Sequence, residues 1–261
     1  MAYETILYEK KEHVAIITLN RPERLNAMNA QMSIDMADAT ADAESDKDIV
    51  VLILTGTGRG FCPGADLMDM GKAKAEGKDS GPAKRAKVPS AIESIKNFPK
   101  PVITAVNGVA TAGGFEMILS SDIVVAADTA RIGDAHANFV GVGPWASTMS
   151  PYKMNRQKAV ELLLTGDIWP AIELEKAGLV NYVVPADKLM EKAMEIAQKI
   201  ASHMPLAMAA AKDITKRVGL TDPVALEAYV REVCGRLGKT KDFGEGMKAF
   251  AEKRKPKYTG E

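Results

Sequence analysis

Cysteine is nearly absent from this chain, with only Cys62 and Cys234, far apart in 261 residues. That separation matches neither a disulfide framework nor a metal knuckle, so the protein is expected to be cytoplasmic, to fold in a reducing compartment and to hold no metal. Neither sign of charge is in excess, since Lys plus Arg and Asp plus Glu both number 34. No overall field then holds the chain on nucleic acid or an anionic membrane, and an anionic ligand must be gripped locally. Long apolar runs are missing too. Nothing approaches the ~20 residues of a membrane span, and the start Met-Ala-Tyr-Glu-Thr-Ile has no basic stretch leading into an apolar one. Neither a nucleic-acid nor a membrane partner is expected.

What is present is an ordinary globular composition, 46% hydrophobic and 26% charged, in a chain long enough to bury a substantial core. Short β-branched runs at Val14–Leu19, Ile49–Thr55, Val102–Val106, Ile123–Ala127 and Leu179–Val184 are bounded by turn residues and predict strands. Helical spacing fills Ala30–Ala43, Gly113–Ser120 and Arg156–Leu164 between them, which predicts an α/β body over residues 1–190. Beyond it, residues 191–261 read as helices alone, at Leu206–Val218, Val224–Leu237 and Phe243–Lys253 after a segment around Met190–Ile200. Lys72–Lys87 has almost no large apolar side chain and is predicted to be a surface loop.

Two segments carry chemistry. The glycines of Gly56–Gly60 fit neither a dinucleotide fingerprint nor a phosphate loop, and are read as turn residues. By contrast, Phe61-Cys62-Pro63-Gly64-Ala65-Asp66 and Asn107–Glu116, with its Gly113-Gly114 pair, each lead from a strand through small residues to a helix start. Small residues let a ligand approach backbone N–H groups, and a helix N-terminus favours negative charge, so together the two could cradle one oxyanion. Glu116 sits inside the apolar run Phe115–Leu119. Two readings stay open for it: a partner of the helix dipole, or an acid/base placed beside oxyanion donors.

At this point the chain resembles the crotonase superfamily (the enoyl-CoA hydratase/isomerase family). The segments Asn20-Arg21-Pro22 with Asn26-Ala27, Phe61–Asp66, Ala105–Glu116 running to Asp122-Ile123, Leu164–Asp167, Ala177–Val180 and Glu245–Pro256 match it in order and spacing over nearly the whole chain. The resemblance implies an α/β, crotonase-like spiral of β-β-α repeats with a C-terminal helical trimerisation region, assembled as a homo-trimer or homo-hexamer. It implies an acyl-CoA thioester substrate, with coenzyme A entering as part of that substrate and no other cofactor. Carried over residue by residue, Glu116 is the acid/base and Gly113 N–H one oxyanion donor. The second donor falls at Pro63, with Gly64, Ala65 and Asp66 along the CoA path. Arg24, Lys253 and Arg254 are candidate phosphate contacts.

Three departures bear on function. Pro63 has no N–H to donate, so Gly64 N–H is expected to replace it. The position of the hydratases' second acid holds His136, in a loop one residue longer, with Asp134 and Asn138 as alternatives; an imidazole can move a proton or orient water. Trp145 stands where the family has glycine and is read either as a wall of the acyl pocket or as a core anchor. Hydration of a 2-enoyl-CoA is the leading expectation, with double-bond isomerisation behind it. A carbon-carbon hydrolase and a non-catalytic acyl-CoA-binding protein are more distant.

Overall fold

The β-branched runs Val14–Leu19, Ile49–Thr55, Val102–Val106 and Ile123–Ala127 are largely buried on both faces, which is the condition for a parallel sheet covered by helices. The structure is a computed structural model and describes residues 3–77, 87–139 and 141–261. It opens with a hairpin of β1 (Ile6–Lys11) and β2 (Val14–Leu19). The two-residue turn, Glu12-His13, has φ of 50° and 70°, the left-handed pair that a tight hairpin requires.

Three repeats follow. In each, one strand joins a large sheet and the next joins a small one: β3 (Val51–Gly56) then β4 (Gly60–Cys62), β5 (Val102–Val106) then β6 (Val109–Thr111), and β7 (Ile123–Ala127) then β8 (Arg131–Gly133). The large sheet has the order β1-β2-β3-β5-β7-β10 and is parallel from β2 onward. The small one runs β4-β6-β8-β9, closed by β9 (Trp169–Pro170) antiparallel to β8, while β10 (Tyr182–Val184) ends the large one. This alternation is the expected spiral of β-β-α repeats.

Helices close the spiral. Before the repeats, α1 (Ala30–Ser45) is capped by the Asn29 side chain accepting from Met32 N–H, and it buries Met32, Met36, Ala39 and Ala43, one stripe at helical spacing. Next come α2 (Leu67–Ala75), α3 (Ala91–Lys96), which starts in a Ser90/Glu93 capping box, and α4 (Gly113–Ser120), all eight of whose residues are buried. The third repeat is followed by α5 (Pro144–Lys153), α6 (Arg156–Thr165) and α7 (Ala171–Lys176). Four C-terminal helices complete the chain: α8 (Leu189–Ala201), α9 (Pro205–Arg217), α10 (Pro223–Leu237) and α11 (Lys241–Ala251). The loop predicted from Lys72 is corrected at its start, because Lys72–Ala75 is the end of α2. That helix needs only Ala73 buried, and Asp66 caps it. Residues 78–86 of that predicted loop lie outside the described residues.

The helix α9 is fastened to the body by Lys212, whose Nζ reaches the Lys100 carbonyl at 2.8 Å and Asp122 at 2.7 Å, with its side chain 4% exposed. Burial pushes the Lys212 amine down to about 8 against the pull of Asp122. Lys212→Met keeps the stem but takes the ammonium from the Lys100 carbonyl and from Asp122, which keeps only its bond from Val102 N–H at 2.8 Å, so unfolding in urea is expected to show a loss of about 2–3 kcal/mol. An unchanged midpoint would mean the pair contributes nothing.

Candidate active site

The cradle is built by close approach of two turns. A Cβ on Gly114 would overlap the carbonyl of Cys62, and one on Gly64 would lie 2.9 Å from Ala112 Cβ and 3.1 Å from Gly113 N. Only glycine at both places lets Cys62–Gly64 lie against the start of α4, and Gly64 also has φ 107°. Gly113 is the first residue of α4, so its N–H has no acceptor within the helix and faces this contact. The turn is aimed by Ala112, which takes φ 47° without being glycine and whose N–H donates to the Asp134 carbonyl at 2.7 Å. Such a conformation costs on the order of 1–3 kcal/mol and persists only where the surroundings hold it.

Pro63 stands in the facing turn with its carbonyl accepting from Thr111 Oγ1 at 3.0 Å. Gly64 N–H, expected to replace the missing donor, is turned onto Cys62 Sγ, 3.4 Å away. The positive φ that lets Gly64 pass under Ala112 is the physical reason. Burial pushes the Cys62 thiol up to about 12, so it is no thiolate nucleophile.

Glu116, 6% exposed, lies one turn into α4. Its Oε1 accepts from the backbone N–H groups of Trp145 and Ala146, both at 3.0 Å. These are orphan donors of the first turn of α5, so one helix carries the carboxylate and the next helix's N-terminus holds it. Both bonds fall on Oε1. Trp145 closes the arrangement from its side chain: Nε1 donates to Ser120 Oγ at 3.0 Å, and Ser120 Oγ donates to the Glu116 carbonyl at 2.8 Å. Lys96 Nζ lies 3.7 Å from the indole centroid. Of the two readings of Trp145, the structure supports the anchor, because the indole is turned onto α3 and α4 and packs against the core.

His136 opens a single 3-10 turn after Ala135, which takes φ 55°. Its Nδ1 is 2.7 Å from Asp134 Oδ1, with the two side chains 14% and 3% exposed. The Asp134 carboxylate holds the imidazole above its ordinary range; burial opposes this, and the Asp134 and Glu116 charges add to it. Asp134 is therefore the partner of His136 rather than its replacement. Asn138 turns away and donates to the Gly166 carbonyl. Residue 140 of this loop lies outside the described residues.

The remaining candidates divide. Ala65 is half-buried and pairs with Met28 beside the cradle. Asp66 has a scaffold role: Oδ1 accepts from Asp69 N–H to cap α2, and Oδ2 meets Arg21 Nη2 at 3.1 Å. Burial alone would raise the Asp66 carboxyl, but Asp69 N–H and Arg21 outweigh it and hold it below the usual range. Arg24 is exposed on the 3-10 turn Pro22–Arg24. Arg254 is not a free phosphate contact, since Glu245 takes it at 2.6 and 2.9 Å and Glu252 at 2.6 Å. His13 serves the fold, with Nδ1 2.9 Å from the Asp48 carbonyl.

A spiral of β-β-α repeats that sets a helix-start N–H beside a facing turn, with a buried carboxylate one turn further on, defines the crotonase class of fold. The chain belongs to the enoyl-CoA hydratase/isomerase family, whose model matches residues 9–261. A probable enoyl-CoA hydratase of Rhizobium meliloti is 36% identical over 261 residues, covering 99% of each chain. The 2,3-dehydroadipyl-CoA hydratase of Escherichia coli is 33% identical over 260 residues, covering 98% of each. Among solved structures, the enoyl-CoA hydratase of Bacillus anthracis superposes with a TM-score of 0.90 at 32% identity, covering 99% of this chain and 100% of the other.

Proposed function

We propose that the protein reversibly hydrates a 2-enoyl-CoA, with Glu116 as the base that takes a proton from water. The observation that carries this is the carboxylate fixed through Oε1 by Trp145 and Ala146 N–H, one turn from Gly113 N–H. In this reading Gly113 N–H holds the thioester oxygen. Water loses a proton to Glu116 as its oxygen bonds the β-carbon, and the α-carbon receives a proton from His136. The enolate between these steps is what the N–H donor stabilises. Solvent water then resets the two side chains. The His136–Asp134 pair supports hydration over isomerisation, because moving a double bond needs one proton carrier and this site offers two.

Incubation with short, branched and cyclic 2-enoyl-CoAs is expected to bleach the conjugated thioester absorbance for at least one of them. Binding without turnover across that panel would leave only an acyl-CoA-binding role. We further propose a trimer or hexamer, supported by α11, where Phe243, Met247 and Phe250 are 47%, 60% and 84% exposed along one face. Light scattering of the same preparation checks it, and a monomer would contradict it.

A further inference from the structure

Asp134 does two things at once. Its carbonyl accepts the Ala112 N–H at 2.7 Å and so pins the loop after β8 to the turn that presents Gly113. Its carboxylate, 2% exposed as a residue, meets His136 Nδ1 at 2.7 Å. The pair lies against Gly143, the residue before α5: a Cβ there would overlap His136 Nδ1 and come within 2.9 Å of Asp134 Oδ1. Because α5 holds Glu116 through its first N–H groups, one short stretch of chain locates the carboxylate, the imidazole and the N–H donor relative to one another.

We propose that Asp134 is a positioning residue of the reaction, holding the His136 ring by Nδ1 so that Nε2 delivers a proton to the α-carbon of the bound thioester. The chemistry favours this direction. A carboxylate on Nδ1 fixes that nitrogen as the N–H bearer and stabilises the imidazolium, which leaves Nε2–H as the transferable proton. The bond made is C–H at the α-carbon, the bond broken is Nε2–H, and the enolate's electron pair forms the new bond. Charged groups act on the ring from two elements, Asp134 from its own loop and Glu116 from α4. Just beyond α6, the Gly166 carbonyl accepts from Asn138 of this 3-10 turn, a neutral contact. With Glu116 taking a proton and His136 giving one, the division of labour places base and acid on separate elements.

The inference rests on the hydration reading, and its test has an arm that needs no substrate. Proton NMR follows the His136 ring, assigned by its loss in His136→Gln. In the parent it is expected to titrate above the ordinary value of about 6.5, and in Asp134→Asn, which keeps an acceptor but removes the charge, to move down. A ring at or below its ordinary value in the parent would overturn the pairing whatever the protein acts on, and would do so even if Asp134→Asn failed to fold. With an active thioester, Asp134→Asn is expected to lower kcat about tenfold, leave KM within about twofold and shift the alkaline limb of the pH profile to lower pH. In a His136→Gln background, itself about tenfold down, the same change is expected to cost less than about twofold, because Asp134 acts through the ring. Equal losses in both backgrounds, or an unshifted limb, would make Asp134 merely structural.

Discussion

Glu116→Gln is expected to lower kcat by about 100-fold or more while leaving the thioester bound, the usual size of a lost general base. The replacement is close in shape. A glutamine oxygen can still accept from Trp145 and Ala146 N–H, so the joint between α4 and α5 should survive, and what disappears is the group that takes the proton. Thermal unfolding should therefore change little while single-turnover rates collapse. A variant that turns over like the parent would make Glu116 a structural carboxylate, a partner of the helix dipole that also holds the start of α5. Loss of binding together with loss of fold would point the same way.

Pro63→Ala should raise the rate, on the order of tenfold or more. Removal of one oxyanion donor from a complete pair costs about 10²- to 10³-fold, so a site lacking one has that much to regain if the new N–H points at the thioester oxygen. In the structure Gly64 N–H is engaged with Cys62 Sγ, so the proposed cradle relies on Gly113 N–H as its main-chain donor. The Pro63 carbonyl keeps its bond from Thr111 Oγ1 in the variant, so the turn should hold its shape. The gain should appear in kcat with KM little altered, because the donor is worth more to the enolate than to the ground-state carbonyl. A fall in the chemical step with folding intact would show that the turn uses a different geometry.

Much of this was legible in the chain. Val14–Leu19, Val102–Val106, Ile123–Ala127 and the helix Gly113–Ser120 have the boundaries that their β-branched runs and flanking turn residues predict. Strands of three residues, β4, β6 and β8, escape such reading because they are too short to show a period of two. The edge strand β1 escapes for another reason: Glu12-His13 adopts a tight-turn geometry without the Asn-Gly signal that marks one. At the site, the resemblance pointed to Glu116, Gly113 and His136. It could not show that the partners of Glu116 are two backbone N–H groups, which no side-chain pattern encodes. Nor could it show that Ala135, with φ 55°, folds His136 back onto Asp134 two residues earlier. Nor did the chain reveal that Gly64 turns beneath Ala112 and directs its N–H onto Cys62 Sγ, because hydrogen-bond direction follows from φ.

The most direct test of the account is the fate of heavy-oxygen water supplied with an accepted 2-enoyl-CoA to the parent and to Glu116→Gln. The account predicts a 3-hydroxyacyl-CoA carrying one labelled oxygen at the β-carbon, formed at least about 100-fold more slowly by the variant. A product with a moved double bond and no label, or labelled product formed equally fast by both proteins, would contradict it.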